Sequence, residues 1–324
     1  VLKTENIKRP RSIEDLLDSG MIARIERLDY ASRKIFAGKL KGERRSKKRG
    51  ESVEFADHRP YVTGDDVRHI DWNVFARLDH LFMKLFIEEE DLALHVVLDA
   101  SGSMDCGEPG KFFYAQQLAM ALGYIGLVNY NRVAATIIGG ARSVLQNEAG
   151  GDWGAIAPAS QPTQSIRDLR GRRRVHDLGD FLCATEPVGD APFTEACKRI
   201  ALSRRGKGVM VVISDFFIKE GYEDGLRLVL GRGYDVFAIQ VLSPQEVQPT
   251  ITGDLRLRDV EDDDTAEVTI SAPLLKRYKA NLAAYCDHFR AFCARREIAN
   301  ITVQTDTPVD TLVLEYLRRK GLLR

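Results

Sequence analysis

Residues 94–104 read LHVVLDASGSM: an apolar run ends at Asp99, and Ser101 and Ser103 follow at every second position. A hard divalent cation takes oxygen ligands, and Mg²⁺ asks for octahedral geometry with few carboxylates. Two hydroxyls two residues apart can face one point on a tight loop, and Gly102 lets the backbone turn between them. A second apolar run, VMVVISDFF, ends at Asp215 with Ser214 beside it. Asp99, Ser101, Ser103 and Asp215 are therefore the candidate metal ligands, with Mg²⁺, Mn²⁺ or Ca²⁺ as the cation. The plainer alternative is that Asp99 and the serines only cap a turn and the following helix. It leaves Asp215 unaccounted for.

Carboxylates this far apart in sequence need a scaffold that brings them together. Strands are expected at 92–98, 133–138, 209–213, 235–242 and 301–304, and helices at 111–128, 176–184, 194–204, 221–230, 273–296 and 310–320. Their alternation implies an α/β fold, an open and mostly parallel sheet flanked by helices, and a six-stranded sheet is expected, one strand more than these five runs. Ligands of such sheets sit beyond the carboxyl ends of the strands, at the switch point, where Asp99 and Asp215 both fall. In the helix at 111–128, Phe112, Ala115, Leu118, Ala119, Leu122 and Ile125 share one face. Segments 255–258 and 266–270 read as a hairpin across the acidic turn 261–264. Residues 152–164 read as a loop bearing Pro and Gly.

Upstream, Ser12-x-x-Asp15 reads as a capping box opening a short helix closed by Gly20, and a second amphipathic helix starts at Ile22. Residues 33–49 hold nine basic residues against one acidic, Glu43; the run has no apolar period and reads as a solvated loop. Residues 55–77 are dense in turn formers, aromatics and charges. They predict an ordered but irregular region that buries Phe55, Tyr61, Ile70, Trp72 and Phe75. The domain reading is residues 1–91 packing on the sheet domain rather than folding alone, then 92–324 as the α/β domain with an insertion at about 250–297.

Lys plus Arg and Asp plus Glu both number 47, so overall charge favours neither nucleic acid nor an acidic partner. Five cysteines, without a C-x-x-C pair, fit a reducing compartment. The longest apolar stretch, 118–128, is too short to span a bilayer, and the start of the sequence has no signal pattern. A soluble, cytoplasmic protein is expected.

The run RSKKRGESVEFADHRPYVTGDDVRHIDWNVFARLDHLFMKLF, upstream of LDASGSM, carries a longer pattern. With Glu54, Phe55, Arg59, Pro60, Tyr61, Gly64, Asp65, Asp66, Arg68, Ile70, Asp71, Trp72, Ala76 and Arg77, and the ending VDTLVLEYLRRKGLL, the sequence resembles the domain of unknown function 58 family from about Met21 onward. That family is von Willebrand factor A-like. The resemblance implies a metal-ion-dependent adhesion site (MIDAS) at Asp99, Ser101, Ser103 and Asp215. It also implies association with MoxR-type AAA+ ATPases in the assembly or remodelling of other proteins. One position departs from the pattern. In GDAPFTEACKRI, Ala191 stands where such domains usually supply a metal-binding Thr; Asp190, Thr194 or a water are the candidate substitutes.

The expected function is a non-enzymatic, metal-dependent protein-binding module acting with a MoxR-type ATPase or its client. A partner's Asp or Glu would complete the coordination, and no small-molecule substrate is implied. Two alternatives stay open. One is a hydrolase using Asp99, although a phosphatase of the haloacid dehalogenase type needs an Asp where Ser101 stands. The other is a binder of nucleic acid or anionic surfaces through residues 33–49. Arg59, Asp65, Asp66, Arg68, Asp71 and Arg77 read either as a partner surface or as an internal salt-bridge network, and His58 and His69 as structural residues. Asp215→Ala is expected to cost binding far more than folding, and even to relieve carboxylate repulsion in the metal-free protein.

Overall fold

The structure, a computed structural model, describes residues 8–30, 54–63, 67, 70–87, 93–143, 156–157, 163–203, 208–249, 253–258 and 265–324. The basic run 33–49 and the hairpin turn 261–264 lie outside the described residues. The chain divides into two compact units, Val1–Lys41 with Leu92–Arg324, and Gly42–Asp91.

The larger unit is built on six strands: β1 (Ala93–Ala100), β2 (Arg132–Gly139), β3 (Thr163–Leu169), β4 (Gly208–Ser214), β5 (Tyr234–Leu242) and β6 (Ala299–Gln304). Their order across the sheet is β6-β5-β4-β1-β2-β3, with every pair parallel except β2 with β3. This is a doubly wound α/β sheet with an antiparallel edge, and its switch point lies between β1 and β4. Both strands are buried along their whole length, which is why they read as apolar runs, interrupted in β1 by the buried His95. β3 is polar and only partly buried, as an edge strand is, and falls partly in the stretch read as a loop.

Alternate residues divide the core between the two faces. Leu94, Val96, Leu98, Val209, Val211 and Ile213 pack on one side, with the helix Lys111–Val128 (α1). Val97, Met210 and Val212 pack on the other, with the helices Phe193–Ser203 (α2), Glu223–Gly231 (α3) and Ala272–Ala294 (α4). The spacing in α1 predicts one buried stripe, yet its far side is buried as well, including Tyr114, Ala121 and Tyr124. Part of the reason lies upstream, where Leu16, Leu17, Met21, Ile25 and Leu28 join the same core and the Tyr30 hydroxyl donates to the Leu122 carbonyl at 2.6 Å; the rest lies in the helix Val175–Cys183 and the C-terminal segment, whose Leu178, Leu182, Leu312 and Val313 join it too. A helix covered on all sides has no polar face to show. Each fully buried Leu or Ile there adds about 2 kcal/mol. The closing helix Val309–Thr311 runs on into a π-helical turn, Leu312–Leu317.

In the smaller unit, Glu54–Pro60 and Phe82–Ile87 form an antiparallel pair, with the helix Trp72–Leu78 between them in sequence. The region expected to be irregular is thus a strand pair and a helix. Asp71 caps that helix, accepting from the backbone N–H groups of Asn73 and Val74, and its other oxygen lies 3.0 Å from His58 Nε2. Ile70 is buried as expected; Trp72 is exposed, not a core anchor. Among the described residues, no helix is long and apolar enough to cross a membrane.

Candidate metal centre

β1 and β4 are neighbours, so their carboxyl ends deliver Asp99 and Asp215 to the same edge of the sheet. The chain leaves β1 through Ser101 into a short 3₁₀ turn, Gly102–Met104. Asp99 orders this turn itself: one carboxylate oxygen accepts the Ser101 N–H at 2.9 Å, and the other accepts the Ser214 hydroxyl at 2.5 Å. Ser214 Oγ also accepts the Phe216 N–H at 2.8 Å. The hydroxyls of Ser101 and Ser103 are hydrogen-bonded to each other, their Oγ atoms 2.9 Å apart. Asp99, Ser101, Ser103 and Asp215 are all buried.

A third loop closes the group. The Gly102 N–H donates to the Gly189 carbonyl at 2.8 Å, and the Val188 N–H to the Ala100 carbonyl at 3.1 Å. Gly139, at the end of β2, permits this approach: its φ is +73°, and a Cβ there would meet the Asp190 carbonyl at 2.9 Å. A cleft of about 120 Å³ opens on the result, with Asp99, Ser101, Asp190, Ala191, Asp215 and Phe217 among its lining residues. Of the two residues considered in place of the missing Thr, Asp190 lines the cleft. Thr194 is not among its lining residues; it has entered α2.

The electrostatics are those of carboxylates taken out of water. Burial, and then the nearby Asp215, push the Asp99 carboxyl up to about 6. Asp215 has a partner that spacing did not suggest. Lys111, the fully buried first residue of α1, places its ammonium 2.8 Å from Asp215 Oδ2 and 2.7 Å from Glu246 Oε1. Burial alone would depress this lysine, but Asp215 and Glu246 outweigh it and hold Lys111 well above the ordinary lysine range. Glu246 belongs to a capping box: its other oxygen accepts the Ser243 N–H at 2.8 Å, at the end of β5. A lysine opening an apolar helix and the Ser243-x-x-Glu246 box were both visible in the sequence, but nothing there joins them to Asp215.

Phe216 is the other residue missed. It takes a left-handed backbone, φ 60°, which is unusual for a bulky side chain and costs about 1–3 kcal/mol. Its buried ring packs against Phe289 with centroids 4.4 Å apart, and its carbonyl accepts the Tyr285 hydroxyl. Both partners lie on α4, so the insertion holds the Asp215 loop in place.

The donors suit a small hard cation. Metal–oxygen bonds of about 2.1 Å at right angles put adjacent ligands about 3.0 Å apart, close to the Ser101–Ser103 spacing of 2.9 Å. Among the described residues no group of three or more His, Cys, Asp or Glu is placed to share a metal. The set here is of another kind, two hydroxyls and two carboxylates.

A doubly wound domain with an oxygen-donor cluster at its switch point is the class that fold and site define. Residues 57–287 match the family described as "Protein of unknown function DUF58", and the chain belongs to it. The chain is 27% identical over 321 residues to the uncharacterized protein Rv1480 of Mycobacterium tuberculosis, covering 95% of this chain and 93% of that protein. It is 32% identical over 144 residues to the uncharacterized protein MAV169 of Mycobacterium avium, covering 42% of this chain and 82% of that one. Among solved structures it is similar to the conserved hypothetical protein BatB of Bacteroides thetaiotaomicron, at 12% identity and a TM-score of 0.39 over 71% of this chain and 98% of that one. It is also similar to an aerotolerance-related membrane protein of Bacteroides fragilis, at 14% identity and a TM-score of 0.42 over 70% of this chain and 99% of that one.

Proposed function

We propose that this chain is a metal-dependent protein-binding module of the von Willebrand A type. Ser101 and Ser103 hold a Mg²⁺ or Mn²⁺ ion directly, while Asp99 and Asp215 act directly or through water. A carboxylate from the partner completes the coordination. The observation that carries this reading is the 2.9 Å spacing of the two hydroxyls beside buried Asp99, with Ser101 lining a cleft on the switch-point edge and Ser103 buried behind it. Hydroxyls are neutral, so an ion held by them keeps attraction for one more anionic oxygen from outside. In a partly dry interface that contact outweighs a surface ion pair. Binding is favoured over catalysis because Ser101 stands where a hydrolase of the haloacid dehalogenase type needs its second Asp.

The family resemblance supplies the candidate partner, a MoxR-type AAA+ ATPase or a client delivered to it. The test is capture of the purified ATPase on the immobilised chain, with Mg²⁺ and with a chelator. Capture that needs the metal supports the reading. Capture indifferent to chelation and to Ser103→Ala moves the contact elsewhere, and the signature residues Arg59–Arg77 become the next candidate.

A further inference from the structure

Resting on the metal reading above, we propose that Lys111 sets the affinity of the centre by competing with the ion for Asp215. The ammonium is fully buried and is held from both sides, at 2.8 Å by Asp215 Oδ2 and at 2.7 Å by Glu246 Oε1. Neither carboxylate is free to turn away. Asp215 Oδ1 accepts the Phe217 N–H at 3.0 Å, and Glu246 Oε2 accepts the Ser243 N–H and hydroxyl. Asp215 therefore lines the cleft with part of its charge already matched by a cation that cannot leave.

Two consequences follow from Coulomb's law in a buried setting. The metal-free site is stable, because Asp215 has a counter-charge before any ion arrives. The ion then shares a carboxylate with an ammonium, which weakens its hold. Metal retention thus comes to depend on the carboxylate that a partner brings. Glu246 moderates the competition by drawing on the same ammonium from behind. Lys111 acts through Asp215 and is a positioning residue, not a ligand.

The experiment titrates Mn²⁺ into the chelator-treated full chain, by electron paramagnetic resonance, in wild type, Glu246→Gln and Lys111→Met/Glu246→Gln, with a thermal melt of each. Lys111→Met alone strands two buried carboxylates, whereas the double variant removes the lysine and one carboxylate together. The double variant is expected to bind Mn²⁺ at least about tenfold more tightly than wild type, the usual scale for removing one charge at this distance. Glu246→Gln, which leaves Lys111 to Asp215 alone, is expected to bind about threefold more weakly or worse. A purely structural role would lower melting temperatures without moving affinity in opposite directions. A silent wild type beside a double variant that binds also supports the proposal. Equal binding in all three overturns it and leaves the metal reading intact. Absence of binding in all three at millimolar Mn²⁺ overturns both. If the double variant does not fold, Glu246→Gln decides: unchanged or tighter binding overturns the proposal.

Discussion

The hydroxyl of Tyr285 donates to the carbonyl of Phe216, the residue that follows Asp215. Through this bond the long helix of the insertion fixes a left-handed residue next to a candidate ligand. Tyr285→Phe removes the bond and keeps the ring. It is expected to destabilise the fold by about 1 kcal/mol and to weaken Mn²⁺ binding as the Asp215 loop loosens. Denaturant unfolding and a Mn²⁺ titration of the same preparation measure the two effects. A variant with lowered stability and unaltered affinity would show that the insertion supports the sheet without positioning the site.

Asp215 requires a different mutational test from the one its sequence context suggests. From sequence, Asp215→Ala is expected to cost binding far more than folding, and even to relieve carboxylate repulsion in the metal-free protein. The structure makes this carboxylate one of two partners of a buried ammonium, and removing a member of a buried ion pair destabilises by about 3 kcal/mol or more. Asp215→Asn keeps an oxygen for Lys111 and is expected to cost clearly less, while still weakening metal binding. Urea unfolding of the two variants should rank alanine as the more damaging. Equal, negligible losses would mean that Lys111 is satisfied by Glu246 alone.

Asp99 makes the centre sensitive to pH. Folding raises this carboxyl to about 6, above an unfolded value of about 4. As pH rises, the unfolded chain therefore releases this proton first. The contribution of Asp99 to the metal-free fold falls between about pH 4 and pH 6 and stays low above that. A metal must displace the same proton, so its affinity is expected to drop about tenfold from pH 7 to pH 5. Calorimetric Mn²⁺ titrations across this window check it. A flat profile would remove Asp99 from the ligand set.

Gly139 is the point at which the Ala191 loop meets the sheet. Its φ is +73°, and the Asp190 carbonyl lies 2.9 Å from where a Cβ would sit. Gly139→Ala therefore combines backbone strain with a contact that must shift. A loss of about 1–3 kcal/mol is expected, together with weaker Mn²⁺ binding as the loop moves off Ala100 and Gly102. Thermal melts with and without Mn²⁺ would register both. Wild-type stability in Gly139→Ala would show that the loop yields at no cost.

The sheet was legible because its central strands are buried on both faces, and such strands announce themselves as apolar runs ending in Asp99 and Asp215. β3 was not, since a partly exposed antiparallel edge asks for no hydrophobic period. The far side of α1 was hidden for the opposite reason: Tyr114 and Tyr124 are polar enough to read as exposed, and they are buried by segments distant in sequence, residues 13–30, the helix Val175–Cys183 and the C-terminal segment. Trp72 shows that an aromatic in a charged stretch need not be a core residue. At the site, Asp99, Ser101 and Ser103 are local in sequence and could be read directly. Lys111 and Glu246 acquire their meaning only when α1 and the end of β5 close on Asp215, a tertiary event that no local pattern records.

The most direct measurement is a calorimetric titration of Mn²⁺ into the chelator-treated chain at about pH 7.5, well above the Asp99 titration, beside Ser103→Ala and Ser101→Ala/Ser103→Ala. One binding site is expected in wild type. Each variant should weaken it by at least about tenfold, the scale set by losing a ligand or its support, while thermal melts stay close to wild type. Wild-type binding that persists unchanged in the double variant, or no binding even with a partner carboxylate supplied as excess acetate, would contradict the metal reading.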